Sequence, residues 1–234
     1  MSQLRNSYLF FYNLFQAFGW GLSLFRILSN FISTNSVNGT FSSAGELICL
    51  LQSLAFLEVI HGAIGIVPSG FVLPLLQWGG RIHFLLAIVR RIHEVQELPS
   101  VFITFVAWSL SEVIRYSHYV LNCLGNPPNW ITFIRYNAFI VLYPIGVFPG
   151  EMWLMYQALP YIKKENLYVD SLPFSYYKFV TVCITSLLNL YNLPFRLSVQ
   201  VLLFCYPFLW MKLYLHVFKQ RRSKLGKQQK KKPN

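Results

Sequence analysis

The chain has 234 residues, of which 55% are hydrophobic and 12% are charged, and its formal net charge is +12. A soluble domain carries about 25% charged residues, so this composition predicts a polytopic membrane protein. Much of the excess positive charge lies at the C-terminus without a folded basic module, which argues against nucleic acid as a partner.

Apolar windows of about 20 residues, each long enough to cross a bilayer core of about 30 Å as a helix, occur along most of the chain. A last apolar region, from about 176 to 218, is too long for one helix and is interrupted near Pro194. The sequence therefore predicts an all-α bundle of six transmembrane helices, with seven as the alternative because of the extra apolar segment near 180–200. The first five candidate spans lie near 8–28, 44–67, 71–92, 101–124 and 130–158.

The C-terminal tail indicates orientation and compartment. Residues 219–232 contain eight Lys or Arg and no acid, which by the positive-inside rule predicts a cytosolic C-terminus. Lys231 and Lys232 resemble a dilysine retrieval signal of the endoplasmic reticulum, and a basic tail that touches anionic lipid is the alternative. We therefore expect a multi-pass endoplasmic reticulum protein with one transmembrane domain over 1–218, an insertion at 180–200, and a basic cytosolic tail over 219–234.

Charged and polar side chains lie inside the predicted spans, where they are costly unless they face the bundle interior or a wet cavity. Residues three or four apart share one face of a helix, so each pair forms a short polar stripe. Any single pair fits interhelical packing, worth about 0.6 to 2 kcal/mol, but together they predict a polar cavity. The pairs are Glu58 with His61, Gln77 with Arg81, and Glu112 with Arg115.

The segment from Tyr143 to Glu151 places a tyrosine and a carboxylate on either side of helix-breaking Pro and Gly residues within an apolar run. An ionisable group at membrane depth marks a functional site by default, so this pair predicts a buried reaction site. Arg135 precedes Tyr143 by eight residues, and a nearby guanidinium favours the tyrosinate form of a phenol.

The sequence lacks residues that two enzyme classes require, the di-iron lipid oxidation enzymes and the tyrosine phosphatases. The five histidines form none of the HxxH or HxxxH pairs that di-iron lipid oxidation needs, so a desaturase or hydroxylase is not expected. Segment 61–69 has the outline of a tyrosine-phosphatase loop, but Gly62 and Pro68 replace its nucleophilic cysteine and its phosphate-binding arginine. Without these two groups, phosphatase activity is not expected.

In their order and spacing, these features resemble the very-long-chain (3R)-3-hydroxyacyl-CoA dehydratases, also called protein-tyrosine-phosphatase-like proteins. The resemblance covers about 8–178 and 200–226. It implies a six-helix enzyme of the endoplasmic reticulum membrane that catalyses the third step of microsomal fatty-acid elongation. The implied catalytic residues are Tyr143 and Glu151, and the implied supporting residues are Arg135, Glu58, Gln77, Arg81, Glu112 and Arg115.

The implied partners are a long-chain acyl-CoA substrate, membrane lipid and the other elongation enzymes. CoA is part of the substrate, so the resemblance implies no separate cofactor. The dehydration chemistry that it implies also needs no metal and no redox cofactor. CoA would need basic groups at a mouth of the bundle, and the sequence offers only weak candidates. These are Arg81, Arg90, Arg91 and Lys178.

The chain departs from the family pattern in two places. The tyrosine and glutamate of the family are seven residues apart, whereas Tyr143 and Glu151 are eight apart. Eight α-helical residues rotate about 80° beyond two turns and seven fall about 20° short, so we expect a bulge at Pro149 to absorb the extra residue. The segment near 180–200 interrupts the last span, and we interpret it as an insertion or a translated intron.

The resemblance leaves open which group is the base. In the preferred assignment Tyr143 removes the C2 proton, assisted by a cation such as Arg135, while Glu151 carries the proton of the 3-hydroxyl group; the opposite assignment is the alternative. A non-catalytic membrane scaffold of the elongation complex is the alternative function, and a transporter also has broken helices at membrane depth.

Overall fold

The structure is a computed structural model that describes residues 2–125, 127–167 and 175–181, together with residues 215 and 219. All regular elements among these residues are helices. The predicted all-α class is therefore confirmed for the described part of the chain. The interrupted stretch beyond residue 181, the final span and the tail with Lys231 and Lys232 lie outside the described residues.

The first part of the chain forms three helices. Helix α1 spans Ser2–Thr34, and its 33 residues reach about 50 Å at 1.5 Å per residue. Helix α2 spans Thr40–Leu54 and continues through Ala55 into α3, Phe56–Ala63. The phosphatase-like segment 61–69 is the end of α3 and part of the turn that follows, where Gly65 has a φ of 74°.

The middle of the chain contains the first of two π-helical segments. Helix α4 spans Val72–Ile82 and passes into a π-helix over His83–Val89. A short 3-10 helix over His93–Val95 leads to α5, Pro99–Cys123, which has a proline in its first turn. Proline suits that position because its missing N–H has no partner there in any case.

The stretch from Asn129 to Lys164 forms a long, interrupted helix. It begins as α6, Asn129–Asn137, and continues as α7, Phe139–Ile145, which contains Pro144. A π-helix over Gly146–Met152 then leads into α8, Trp153–Lys164. Residues 176–181 are also helical. The lengthened turn lies at Pro149, where the sequence predicts a bulge, and this prediction is confirmed.

Three helical segments of the described chain are long and apolar enough to cross a membrane: Thr40–Ala63, Val72–Val89 and Asn129–Lys164. They coincide with the predicted spans near 44–67, 71–92 and 130–158. The predicted spans 8–28 and 101–124 lie within α1 and α5, whose buried faces carry more polar side chains, among them Gln16 and Glu112. The chain is thus a helical membrane protein.

The chain divides into two compact units, Met1–Glu151 and Met152–Asn234. In the first unit α1 and α5 pack against each other in opposite directions. The ring centroids of Tyr12 and Tyr116 are 6.3 Å apart, and those of Phe31 and Phe102 are 5.2 Å apart. The outer face of α1 exposes large apolar side chains, as a lipid-facing helix does. They include Phe11, Phe15, Phe18, Phe25 and Ile32.

The second unit contains α8 and the helical residues 176–181. The Lys163 ammonium lies 5.8 Å from the centroid of the Tyr177 ring. Lys163 and Lys164 occupy the last turn of α8, where positive charge interacts favourably with the negative end of the helix dipole.

Candidate functional site

A chain of alternating charges joins three helices inside the first unit. Glu112 on α5 is 1% exposed and binds two arginines. Arg115 Nε donates to Glu112 Oε2 at 2.6 Å, and Arg81 Nη1 on α4 donates to Glu112 Oε1. Arg115 also reaches Glu58 on α3, with Nη1 to Oε2 at 2.6 Å and Nη2 to Oε1 at 3.0 Å. The predicted pairing of Glu112 with Arg115 is confirmed.

The structure brings four of the six predicted supporting residues into this one network, which contains two positive and two negative charges. The fifth, Gln77, lies one turn before Arg81 on α4 and is half-buried, but it takes no part in the network. The sixth, Arg135, lies on α6 and has other neighbours, described below.

Tyrosines from α1 and α5 complete the surroundings of Glu58. Tyr116 donates its hydroxyl to Glu58 Oε1, and the Tyr12 hydroxyl lies 3.5 Å from the same oxygen. One turn further along α3, His61 shares a hydrogen bond of 2.8 Å with the Tyr8 hydroxyl. Sequence spacing placed Glu58 and His61 on one face but gave no indication of these tyrosines, because they lie more than 45 residues away.

Arg81 links this network to the predicted catalytic pair. It lies close enough to Tyr143 and Glu151 for their charges to interact. The Arg81 guanidinium also lies over the Trp108 ring, with Cζ 4.7 Å from the centroid. The sequence assigned the cation that assists Tyr143 to Arg135, and the structure adds Arg81 as a second cation near the pair.

Trp108 is a neighbour of Glu151 that sequence reasoning missed. Its indole Nε1 donates to Glu151 Oε1 at 2.9 Å. Trp108 is 3% exposed and Glu151 is 8% exposed, so this hydrogen bond is sheltered from solvent. A tryptophan in an apolar helix is ordinarily read as a packing residue, and only the folded arrangement shows which group its N–H meets.

The π-helix between Tyr143 and Glu151 compensates for their longer spacing. A π-helical hydrogen bond runs from residue i to i+5 and takes one more residue into the turn than an α-helical bond. One residue corresponds to about 100° of α-helical rotation, which is close to the excess of about 80° expected for a regular helix. Glu151 therefore returns to the side of the helix that a seven-residue interval would give it.

Two glycines let this π-helix approach α5 closely. A Cβ atom on Gly150 would lie 2.5 Å from Thr104 Oγ1, and one on Gly146 would lie 3.4 Å from the Ala107 Cβ. Because Glu151 follows Gly150 directly, this close approach fixes the distance between Glu151 and the helix that carries Trp108.

Arg135 has aromatic neighbours. Its Cζ lies 5.8 Å from the Tyr136 ring centroid and 5.9 Å from the Tyr119 ring centroid. The Arg115 guanidinium also lies over the Tyr119 ring, with its Cζ 5.7 Å from the ring centroid. The Tyr119 ring is thus in contact with two guanidinium groups, and one of them, Arg115, belongs to the buried charge network.

The four basic residues suggested for CoA have different environments. Arg81 is buried and bound to Glu112. Arg90 is exposed and pairs with Glu46, with Nη2 to Oε2 at 2.9 Å. Arg91 and Lys178 are exposed, and Lys178 belongs to the second unit. Among the described residues, no three His, Cys, Asp or Glu side chains are grouped as a metal site would require.

Comparisons with known proteins agree on one family. The family model described as "Protein tyrosine phosphatase-like protein, PTPLA" matches residues 52–227. The Homo sapiens protein named very-long-chain (3R)-3-hydroxyacyl-CoA dehydratase 2 is 33% identical over 225 residues, which are 95% of this chain and 82% of that relative. No solved structure gives a significant match.

Further relatives carry similar names. The Mus musculus very-long-chain (3R)-3-hydroxyacyl-CoA dehydratase 1 is 32% identical over 228 residues, covering 95% of this chain and 74% of that relative. The Oryza sativa protein named very-long-chain (3R)-3-hydroxyacyl-CoA dehydratase PASTICCINO 2A is 32% identical over 173 residues, covering 74% of this chain and 77% of that relative.

Proposed function

This chain belongs to the protein tyrosine phosphatase-like family, PTPLA, and we propose that it dehydrates very-long-chain (3R)-3-hydroxyacyl-CoA to trans-2-enoyl-CoA in microsomal fatty-acid elongation. The family resemblance inferred from the sequence is thereby confirmed. The activity makes the protein a hydro-lyase. The observation that supports it best is the cluster around Glu151, in which the Trp108 indole donates to the Glu151 carboxyl group at 2.9 Å and the Arg81 guanidinium lies 4.7 Å from the centroid of the same Trp108 ring.

The reaction needs one group that removes a proton and one that supplies a proton. In the proposed mechanism the Tyr143 phenolate takes the proton from C2, and the electrons of that C–H bond form the C2–C3 double bond. The C3–O bond breaks at the same time, and Glu151 gives its proton to the departing hydroxyl group, which leaves as water. Such acid–base catalysis contributes about 100-fold to 10,000-fold to a rate.

The surroundings of each group fit its role. The positive charge of Arg81 stabilises a phenolate at Tyr143 and the negative charge that develops on the thioester oxygen. Trp108 holds Glu151 in one orientation through the 2.9 Å hydrogen bond. The opposite assignment, with Glu151 as base and Tyr143 as proton donor, uses the same two residues and the same bond changes.

The setting of the enzyme follows from the reaction and the sequence. The acyl chain is apolar and enters the helical unit from the bilayer, while the reaction transfers no electrons and so needs no redox cofactor. We propose six membrane spans with a cytosolic C-terminus in the endoplasmic reticulum, where Lys231 and Lys232 act as a retrieval signal. The other elongation enzymes, which make the substrate and consume the product, are the proposed partners.

The test is the conversion of a long-chain (3R)-3-hydroxyacyl-CoA to its trans-2-enoyl-CoA by purified protein in lipid vesicles. Tyr143→Phe and Glu151→Gln should each lower kcat at least 100-fold. Tyr156→Phe and Glu165→Gln, at exposed positions on and just after α8, are the matched controls and should keep full activity. A well-folded wild type without activity would contradict the proposal and favour a scaffold.

A further inference from the structure

Arg135 is a positively charged residue that takes no part in the ion-pair network of the first unit. Arg81 and Arg115 are bound to Glu112 and Glu58. Among the described residues, Arg135 forms no salt bridge. A charged group within a membrane helix is costly unless it is paired or faces a wet cavity, so Arg135 can accept an anion that the described residues do not supply.

The position of Arg135 suits an anion that enters from the end of the helical unit. It lies six residues after Asn129, the first residue of α6, which is about 9 Å along the helix. Its neighbour Tyr119 lies in the last two turns of α5. Arg135 is half-buried and lies near the end where α5 terminates and α6 begins.

Arg90 and Arg91, two of the exposed residues suggested for CoA, lie at the opposite end of the first unit. Arg90 and Arg91 directly precede the segment that leads into the start of α5. Helix α5 has 25 residues and is therefore about 37 Å long. One substrate headgroup cannot contact both ends of this helix, and Arg90 is already paired with Glu46.

We propose that Arg135 binds a phosphate group of the CoA portion of the substrate, an inference that rests on the proposed dehydratase activity. A guanidinium binds phosphate through two parallel N–H donors. The Tyr119 and Tyr136 rings pack beside the guanidinium and keep it in place without neutralising it. The phosphates carry the negative charges of the substrate, and a charged group is costly in an apolar bundle unless it is paired.

The distance along the helix between Arg135 and Tyr143 fits a phosphate-binding role for Arg135 and a catalytic role for Tyr143. Tyr143 lies eight residues beyond Arg135 on the same interrupted helix, which is about 12 Å along its axis. The pantetheine arm of CoA separates the thioester from the phosphates, so the thioester reaches Tyr143 while a phosphate stays with Arg135. Arg81, which lies over the Trp108 ring beside Glu151, supplies the cation for the chemistry.

The experiment compares two thioesters of the same long-chain (3R)-3-hydroxy acid, one with CoA and one with pantetheine, which has no phosphate. Arg135→Gln should raise KM for the CoA thioester about 10-fold to 100-fold with little change in kcat. The same variant should leave the kinetics of the pantetheine thioester unchanged. Arg26→Gln, at an exposed arginine of α1, is the matched control and should alter neither substrate.

Other outcomes would overturn the inference. Equal loss of kcat with both thioesters would assign Arg135 to catalysis beside Tyr143. Unchanged kinetics with both would mean that Arg135 holds a lipid phosphate or has a packing role. If Arg135→Gln does not accumulate, Arg135→Lys, which keeps the charge and loses the two-pronged geometry, takes its place. The inference also requires that the wild type prefers the CoA thioester to the pantetheine thioester by 10-fold or more in kcat/KM. Activity on neither thioester would instead refute the dehydratase proposal.

Discussion

The indole N–H of Trp108 donates a 2.9 Å hydrogen bond to Glu151 Oε1, and the same indole ring lies under the Arg81 guanidinium. One side chain of α5 thus contacts both the carboxyl group and the cation of the proposed site. Trp108 does not need to touch the substrate in order to matter, because it fixes the relative positions of two groups that are proposed to do so.

Replacing Trp108 by Phe tests this positioning role. The variant keeps an aromatic ring beneath Arg81 and removes the donor to Glu151. We expect kcat to fall about 3-fold to 10-fold while KM changes little, because the substrate-binding surfaces are preserved. The measurement is steady-state kinetics on the CoA thioester, with Trp153→Phe, at an exposed tryptophan of α8, as the matched control. A rise in KM at constant kcat would show that Trp108 binds substrate instead.

The length of the π-helix offers a second test. Deleting Pro149 shortens the interval between Tyr143 and Glu151 from eight residues to seven and removes the need for a widened turn. Seven α-helical residues fall about 20° short of two turns, so we expect this deletion variant to remain active. Inserting one alanine after Phe148 gives nine residues and about 180° of mismatch, and this variant should be inactive. Equal activity in both would refute the role of the widened turn.

Gly150 is predicted to be intolerant of any side chain. In Gly150→Ala the new Cβ would lie 2.5 Å from Thr104 Oγ1, and Thr104 cannot rotate away without losing its 2.7 Å hydrogen bond to the Ser100 carbonyl. We expect the π-helix to move away from α5 and kcat to fall at least 10-fold, since a small displacement of a catalytic group has a large effect.

The double variant Gly150→Ala with Thr104→Ala provides the control for this prediction. Removing the Thr104 hydroxyl relieves the contact, so the double variant should recover most of the activity that the single variant loses. Thr104→Ala alone should be close to wild type. Failure of the double variant to recover would mean that Gly150 is required for its backbone conformation and not for close packing.

Breaking the buried charge network should affect stability. Glu112→Gln leaves Arg81 and Arg115 without their shared carboxylate, and removing one partner from a buried ion pair costs about 3 to 5 kcal/mol. We expect a lower thermal unfolding midpoint in lipid vesicles, measured by tryptophan fluorescence. Glu46→Gln removes the partner of the exposed Arg90 and should change the midpoint little, because exposed pairs contribute about 0 to 1 kcal/mol.

The sequence predicted those features of the site that depend on residues close to each other in the chain. The spacing of Glu112 and Arg115 placed them on one helical face, and the extra residue near Pro149 predicted the widened turn. Contacts between distant segments had no such signal. Arg115 and Glu58 are 57 residues apart and Trp108 and Glu151 are 43 apart, and helix periodicity does not determine which face of one helix meets which face of another.

The alternating chain of Arg81, Glu112, Arg115 and Glu58 also constrains how the protein enters the membrane. Helix α5 carries Glu112 and Arg115 together and is neutral at this depth by itself, whereas α3 brings a single Glu58 and α4 a single Arg81. Among the described residues, the salt-bridge partners of these two charges lie on α5, which is synthesised after both. During biogenesis we therefore expect α3 and α4 to lack these salt bridges until α5 emerges, which favours the entry of the three helices into lipid as one group.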